Sequence, residues 1–367
     1  MFRTINEIDT PAILIEKSVM EENLRLMQAI ADKHNVNLRV HIKTHKIPEL
    51  AKIQLKAGAV GIAVAKLGEA EVMADHGIKD LQIANIIVGK DKISQLAALG
   101  RRCRISVAVD SLQNAKELSF IFSSQRKVQD VLVKIDTGLG RCGLADFADV
   151  ARLVIECRKL NGIRIIGLMT HAGHAYGAPD RKKISQIGRM EGEKLVEFAE
   201  KLRKLSHRMD VVSVGSTPTA GYCSKVRGVT ELRVGNYIFN DMTQVALGSV
   251  PKSRCALTVL ATVISRPTDD RAIIDSGSKA LALDRGAHGK AILTGFGGII
   301  GGGGVLARLS EEHGIIENLS RKFKIGEKIR IIPNHACTTV NLYDYAYLVD
   351  DGRVLKKYNI AARGKIN

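Results

Sequence analysis

The 367-residue sequence contains no tryptophan, and Phe, Tyr and Trp together make up only 4% of it. Proteins that bind single-stranded nucleic acids stack bases on aromatic side chains, so this scarcity argues against that class. The net charge of +17 would suit such a protein, but the 55 Lys and Arg residues are spread along the chain without a long basic block. We therefore expect no nucleic-acid partner, and a solvated basic surface suited to small anionic substrates.

Two further absences concern the cellular compartment. The sequence has no run of about twenty apolar residues and no charged, apolar leader, which predicts neither a membrane span nor a secretory signal. Its six cysteines include no CxxC pair and no framework of short spacings. These features predict mostly buried thiols in a cytoplasmic protein with no membrane partner.

What the sequence does contain is a regular alternation of apolar runs and amphipathic helical patterns up to about residue 245. Near-continuous apolar runs are typical of parallel strands buried on both faces. Eight such strand-helix units predict an α/β fold with a closed (β/α)8 barrel, whose chemistry lies at the C-terminal ends of the strands. The predicted strands are Leu38–Lys43, Val60–Ala65, Leu81–Ile86, Ile105–Asp110, Val131–Asp136, Ile163–Met169, Val211–Gly215 and Glu231–Val234.

Beyond about residue 250 the pattern changes to short β-rich runs, which predict a second, mostly β domain. The predicted strands there are Ala256–Ile264, Arg271–Asp275, Lys328–Ile332, Ala346–Val349 and Arg353–Leu355. A glycine-rich run from Gly295 to Gly304 lies between them. It lacks the strand-to-helix context of a phosphate loop, so we expect a mobile loop near the mouth of a site.

Lys43 is the first candidate for chemistry, because it follows the first predicted barrel strand within His41–Lys46. A lysine at the end of a buried strand is unfavourable unless it is paired or its pKa is lowered. A lysine held in this way can form a Schiff base with a carbonyl cofactor. The alternative is a basic strand end that meets solvent.

A phosphate site is predicted opposite this lysine. Ser216 and Thr217 follow the seventh strand, and Gly235 and Asn236 follow the eighth, which is where barrels commonly bind phosphate. Either pair alone could be an ordinary turn. Together with Lys43 they suggest pyridoxal phosphate, which has both an aldehyde and a phosphate.

Two more side chains are predicted at the same end of the barrel. Arg141 could bind the phenolic oxygen of the cofactor or a substrate carboxylate, or it could simply cap its loop. Tyr176 closes a loop that also contains His171 and His174, and could lie beside the pyridine ring. The two histidines make this loop a competing metal candidate.

His335 and Cys337 form a His-x-Cys pair after a predicted strand. Side chains alternate along a strand, so we expect the imidazole and the thiol on the same side of the chain. This ligand pair suits zinc, and it would leave coordination positions open for water and substrate. A buried His and Cys in an ordinary strand is the alternative.

In this order and spacing, the motifs resemble those of the D-threonine aldolase and D-serine dehydratase family, which belongs to the alanine-racemase-like, fold-type III pyridoxal phosphate enzymes. The motifs that carry the resemblance are His-x-Lys-Thr-His-Lys at 41–46, Lys66–Glu71, Asp136–Gly143, Val229–Tyr237, Glu311–Gly314 and Pro333–Cys337. The likeness extends over nearly the whole chain.

The resemblance implies roles for the candidate residues. Lys43 would form the Schiff base and act as a base, with His45 and Arg141 as further catalytic residues. The cofactor would be held by Lys43, Arg141, Tyr176, Ser216, Thr217, Gly235 and Asn236. His335 and Cys337 would bind a divalent metal, with zinc favoured over manganese or magnesium.

The resemblance also implies a domain arrangement. Residues 16–245 would form the barrel that binds the cofactor, and residues 1–15 with 246–367 would form the β-rich domain that carries the metal ligands. The first strand would join the C-terminal domain, and two subunits of a homodimer would share the active-site region.

The branches of the family differ at the metal and phosphate motifs. Aldolases tend to have His-x-Asp, whereas dehydratases tend to have His-x-Cys and Ser-Thr-Pro, as here at 335–337 and 216–218. This predicts a dehydratase of D-serine or D-threo-3-hydroxyaspartate that yields a 2-oxo acid and ammonia. The alternative is a D-threonine aldolase that yields glycine and an aldehyde, and an amino-acid racemase is more distant. Met169 departs from the family, in which several relatives have tyrosine.

Overall fold

The computed structural model describes residues 3–367. Strand β1 (Ala12–Glu16) precedes a closed barrel of eight parallel strands in sequential order, and the last strand pairs with the first. The barrel strands are β2 (Asn37–His41), β3 (Gly61–Val64), β4 (Asp80–Ile86), β5 (Arg104–Val109), β6 (Gln129–Lys134), β7 (Ile163–Met169), β8 (Val211–Val214) and β9 (Glu231–Leu232). The predicted (β/α)8 barrel is confirmed.

Helices surround the barrel, and two short ones follow strands of the second sheet. They are α1 (Lys17–Lys33), α2 (Pro48–Lys56), α3 (Leu67–Asp75), α4 (Lys90–Leu99), α5 (Leu112–Ser124), α6 (Phe147–Cys157), α7 (Arg181–Lys204), α8 (Ala220–Cys223), α9 (Met242–Ala246), α10 (Ser278–Leu281) and α11 (Ala336–Val340). The longest, α7, begins after Asp180, whose side chain accepts a hydrogen bond from the backbone N–H of Lys183. Ile184, Ile187 and Leu195 bury its apolar face against the barrel, because their spacing returns them to one side.

The interior of the barrel contains a charged network rather than apolar side chains alone. Glu231 of β9 is buried and accepts hydrogen bonds from Arg39 at 2.7 Å and from the hydroxyl of Ser213 at 2.7 Å. Arg233 donates to the same hydroxyl at 2.6 Å. These bonds satisfy the polar groups, which would otherwise be unfavourable inside the barrel.

A second, mostly β unit is built on the strand that precedes the barrel. Ile13 of β1 lies opposite Val259 in an antiparallel pair and beside Ala346 in a parallel pair, so β1 is hydrogen-bonded to strands of the C-terminal sheet. The other strands are β10 (Leu257–Thr268), β11 (Arg271–Ile274), β12 (Gly298–Ile299), β13 (Val305–Leu309), β14 (Gly314–Glu317), β15 (Lys328–Ile332), β16 (Tyr345–Asp350) and β17 (Arg353–Asn359). Their buried side chains form a separate apolar cluster that includes Val259 and Ile331.

The glycine-rich run is more ordered than the sequence predicted. Gly298 and Ile299 form β12 and pair with Ile332 and Ile331 of β15, so the expectation of a loop throughout this run was wrong. Ile299 and Phe296 also pack into the apolar cluster of the second sheet, which helps to hold the run in place. Among the described residues, no helix is long and apolar enough to cross a membrane.

Candidate active site

A 790 Å³ cavity opens at the C-terminal ends of the barrel strands. Every predicted site residue except His45 lines it. These residues are Lys43, Arg141, Tyr176, Ser216, Thr217, Gly235, Asn236, His335 and Cys337. The cavity therefore brings together groups from both the barrel and the second sheet.

His45 lies behind the cavity wall. Its Nε2 is 3.1 Å from Oε1 of Gln54, and its Nδ1 accepts a hydrogen bond from the backbone N–H of Ile47. Burial lowers the pKa of His45 to about 4, which keeps the ring neutral. The ring therefore braces the turn that follows Lys43 and does not reach the cavity.

Lys43 lies in a single helical turn, Ile42–Thr44, that directly follows β2. Its backbone N–H donates to Nδ1 of His41 at 3.3 Å, which fixes the turn. Burial lowers the pKa of the Lys43 amine; Cys337 opposes this shift and Arg141 adds to it. The amine is thus more readily deprotonated than an exposed lysine, as a nucleophile requires.

The four predicted phosphate ligands meet across the cavity from strands β8 and β9. The hydroxyl of Thr217 accepts the backbone N–H of Tyr237 at 3.2 Å, which joins the two loops. Gly235 packs so closely that a Cβ there would lie 2.7 Å from the carbonyl oxygen of His41. Asn236 is buried, and its Oδ1 has no partner within residues 3–367. This leaves a small, polar recess between the loops.

Arg141 and Tyr176 differ in how they are held. Arg141 is exposed at the cavity mouth and makes no hydrogen bond or ion pair with the described residues, so it is available to a ligand. Tyr176 is buried, and burial raises the pKa of its phenol. The phenol is therefore neutral.

The backbone around His335 and Cys337 differs from the predicted strand. His335 is extended and caps the N-terminus of α11, and Cys337 lies within that helix. The strand-alternation argument for their proximity was therefore wrong. The two side chains nevertheless line the same cavity and interact electrostatically, because the first turn of the helix returns Cys337 towards His335.

Each member of this pair shifts the pKa of the other. Burial opposes ionisation of the Cys337 thiol, but His335, Lys43 and Thr44 together outweigh burial and lower the thiol's pKa. Burial likewise opposes protonation of His335, whereas Cys337 and Asp284 raise the pKa of the imidazole. Nδ1 of His335 lies 3.4 Å from Oδ1 of Asp284. A thiolate beside an oriented imidazole is a ligand set that suits a divalent metal such as zinc.

The competing metal candidate was the loop that contains His171 and His174. His171 lines the cavity, with its Nδ1 3.2 Å from the carbonyl oxygen of Gly215, whereas His174 does not line it. Within residues 3–367, no group of three or more His, Cys, Asp or Glu side chains is arranged to hold a metal. The two-histidine loop therefore does not form a separate metal centre in the described part of the chain.

Sequence reasoning missed two basic residues of the cavity wall. Arg233 is buried and donates to Ser213, while Lys134 is buried and donates to the carbonyl oxygen of Ala84 at 3.0 Å. A signal was present for Arg233, because Glu231 and Arg233 alternate with Leu232 and Val234 in a predicted strand. That alternation points both charges to the same face.

A third missed residue, His288, enters the cavity from the second sheet. It has a positive φ of 56° just before Gly289, and its ring lies 4.8 Å from the ring of Tyr176. Burial, together with Lys43 and Arg141, lowers the pKa of His288 to about 4. Neither ring nitrogen hydrogen-bonds to a described residue, so a neutral imidazole faces the cavity.

His288 belongs to a segment that we call the strap, residues Asp284–Gly295. The side-chain amide of Asn334 donates to the carbonyl oxygens of both Asp284 and Gly295 at 2.9 Å. One residue next to His335 thus fastens both ends of the strap. The position of His288 is consequently tied to the candidate metal pair.

The sequence matches families of known proteins over both the barrel and the second sheet. Residues 15–242 match the family model for the alanine racemase N-terminal domain, and residues 256–349 match that for a serine dehydratase domain. The chain is 35% identical to a D-threonine aldolase of Arthrobacter sp, over 97% of this chain and 93% of that protein. The chain belongs to the D-threonine aldolase and D-serine dehydratase family. As a member, it is a lyase of the alanine-racemase-like pyridoxal phosphate type.

Other members of the family agree in sequence and structure. The chain is 36% identical to D-threo-3-hydroxyaspartate dehydratase of Delftia sp. (strain HT23), over 96% of this chain and 97% of that one. The solved structure of that dehydratase superposes with a TM-score of 0.91, at 33% identity over 97% of this chain and 98% of that one. D-threonine aldolase from Filomicrobium marinum superposes with a TM-score of 0.93, at 31% identity over 100% of this chain and 99% of that one. The family therefore includes both activities at similar distance from this chain.

Proposed function

We propose that this protein is a pyridoxal phosphate- and divalent metal-dependent dehydratase of D-3-hydroxy amino acids, which releases a 2-oxo acid and ammonia. The observation that carries the proposal is that one cavity is lined by the Lys43 amine and by the coupled His335–Cys337 pair. An amine and a metal site in one cavity suit a substrate that carries a hydroxyl one carbon from its amino group.

The cavity fits pyridoxal phosphate in size and in polar groups. The amine of Lys43 would bind the aldehyde, and Ser216, Thr217, Gly235 and Asn236 would hold the phosphate. Buried polar atoms without a described partner, Oδ1 of Asn236 and Nε2 of His171, remain for a ligand or an ordered water. When bound, the cofactor supplies an electron sink for the carbon next to the amino group.

The residues of this chain would then move one proton and orient one group. Lys43 would take the α-proton, and burial, which lowers the pKa of its amine, favours the neutral form that accepts a proton. His335 and Cys337 would hold the metal, which supplies a Lewis acid for the β-hydroxyl. In this division, residues 16–245 bind the cofactor and residues 246–367 bring the metal ligands.

Charge around the cavity favours a substrate with a second carboxylate. Lys134, Arg141 and Arg233 line the cavity, and the acidic side chain that lines it, Asp284, already contacts His335. The cofactor phosphate would use the opposite recess, which leaves Arg141 at the mouth without an anion. We therefore favour D-threo-3-hydroxyaspartate over D-serine.

The dehydratase is favoured over the aldolase by the metal pair. Solved variants of a D-threo-3-hydroxyaspartate dehydratase replace a histidine and a cysteine two positions apart, and the cysteine variant is described as being in the metal-free form. This chain has the same spacing at His335 and Cys337. Incubation with D-threo-3-hydroxyaspartate, D-serine and D-threonine, with separate assays for 2-oxo acid and glycine, tests the proposal. Glycine without oxo acid would overturn it.

An aldolase is the second candidate, and His288 is the observation that favours it. Retro-aldol cleavage requires a base for the hydroxyl proton, and a neutral imidazole in the cavity can accept one. Glycine production that is lost on His288→Asn substitution would support this alternative.

A further inference from the structure

Glu191 is a buried carboxyl on a helix face that is otherwise apolar. It lies on α7 between Ile187 and Leu195, at the spacing that faces the barrel, and it is 1% exposed. Burial raises the pKa of this carboxyl, while hydrogen bonds from Gly215 and Ala172 act against the rise. A leucine would satisfy the helix pattern at this position, so the carboxyl calls for a separate explanation.

The carboxyl joins helix α7 to the loops that follow β7 and β8 at the C-terminal end of the barrel. Its Oε1 accepts the backbone N–H of Ala172 at 3.1 Å, after β7, and that of Gly215 at 2.9 Å, after β8. Its Oε2 accepts the hydroxyl of Thr219 at 3.2 Å. Each of these bonds fixes a loop that follows a barrel strand.

Thr219 continues this chain of hydrogen bonds to the recess proposed for the phosphate. The backbone N–H of Ser216 donates to Oγ1 of Thr219 at 3.1 Å, and the two hydroxyl oxygens lie 2.9 Å apart. Glycine in α7 allows this contact, because a Cβ at Gly188 would lie 3.1 Å from Cβ of Thr219. The helix is thus packed directly against the turn Ser216–Thr219.

We propose that Glu191 is a positioning residue for the cofactor phosphate, acting through Thr219 on Ser216. The inference rests on the proposed assignment of the phosphate to the recess lined by Ser216 and Thr217. Glu191 does not line the cavity and touches neither cofactor nor substrate. Its role is to fix the turn Ser216–Thr219 in the position that it takes around the anion, before the anion arrives.

The test compares the affinity of the protein for pyridoxal phosphate and for pyridoxal, which lacks the phosphate. Glu191→Gln places a donor where Thr219 needs an acceptor, and Thr219→Val removes the link but leaves the two backbone bonds of Glu191 intact. Both variants should raise the dissociation constant of pyridoxal phosphate by about tenfold, the effect of one hydrogen bond to a charged group. The dissociation constant of pyridoxal should not change, as measured by absorbance titration.

Glu193→Gln is the matched control, because Glu193 is an exposed carboxyl on the same helix and should leave both constants unchanged. In the double variant Glu191→Gln/Thr219→Val, the two effects should be less than additive, since both break one chain of contacts. Should Glu191→Gln fail to fold, Thr219→Val alone carries the comparison.

The outcomes separate this inference from the proposed function. The inference is wrong if both variants bind pyridoxal phosphate as tightly as the unaltered protein. It is also wrong if their affinity for pyridoxal falls as much as their affinity for pyridoxal phosphate, because Glu191 then has no specific effect on the phosphate. If the unaltered protein binds no pyridoxal phosphate at all, the proposed cofactor fails first, and the inference fails with it.

Discussion

The hydroxyl of Thr44 lies 3.2 Å from the thiol of Cys337, although the two residues are 293 positions apart. Thr44 directly follows Lys43 in the turn after β2, and Cys337 lies in α11, between strands β15 and β16 of the second sheet. A second contact supports the same junction, because Oδ2 of Asp241 accepts the backbone N–H of Ala336 at 3.0 Å. The candidate Schiff-base lysine and the candidate metal pair are therefore held in fixed relation without a ligand between them.

Lys43→Ala should abolish the absorbance of bound pyridoxal phosphate, because it removes the amine that attaches the cofactor. Lys66→Ala is the control, since Lys66 caps the neighbouring helix α3 and does not line the cavity. Visible spectra of the two purified variants check this. Colour retained in the first variant and lost in the second would assign the attachment to Lys66.

The attachment of pyridoxal phosphate to the apoprotein should depend on pH through Lys43. Only the unprotonated amine attacks an aldehyde, and burial lowers the pKa of Lys43 below the ordinary 10.5. The attachment rate should therefore rise with pH and level off at a lower pH than for a free lysine amine, as followed by stopped-flow absorbance. A profile identical to that of free lysine would contradict burial of this amine.

Cys337→Ala should lower the bound metal content and reduce lyase activity by about tenfold to a hundredfold, because it removes one of the two candidate protein ligands. Metal analysis after dialysis, with activity measured before and after zinc addition, provides the check. Cys142→Ala is the matched control, since Cys142 lines the same cavity away from the His335 pair. Equal metal content in both variants would remove Cys337 from the metal site.

Arg141→Met should lower kcat/KM for D-threo-3-hydroxyaspartate by about tenfold more than for D-serine, because only the former has a second carboxylate. Steady-state kinetics with both substrates measures the ratio. An equal loss for the two substrates, with weaker cofactor binding, would assign Arg141 to the phenolic oxygen of the cofactor instead.

Glu69→Gln should destabilise the fold by about 3–5 kcal/mol, because it leaves the ammonium of Lys46 buried without a counter-charge. The pair is 3.1 Å apart, with side chains only 8% and 1% exposed. Glu197→Gln, which breaks an exposed pair with Lys201, should cost less than about 1 kcal/mol. Urea unfolding of the three proteins checks the difference, and equal midpoints would contradict it.

The barrel was predictable from sequence because parallel strands buried on both faces leave near-continuous apolar runs. Runs such as Val131–Asp136 and Ile163–Met169 therefore marked strands β6 and β7. Strands β13 and β14 were missed, because Val305–Leu309 and Gly314–Glu317 are short and bury few side chains fully. Short antiparallel strands depend on their partners more than on local pattern.

The site was predictable where a residue type was rare in its context, as with Lys43 at the end of a buried strand. It was not predictable where the contact arises only after folding. His288 comes from a loop without local signal, and Glu191 appears in sequence as one more charge on a helix rich in charges. Their significance depends on which loops the barrel brings next to them.

Both ends of the strap, which carries His288 into the cavity, are attached to the same side chain. The side-chain amide of Asn334 donates to the carbonyl oxygens of both Asp284 and Gly295, so one side chain holds the two ends of the strap together. A displacement of the backbone beside His335 would shift both anchor points together and carry the His288 imidazole with them. Access to the cavity thereby depends on the side-chain amide of one residue, Asn334.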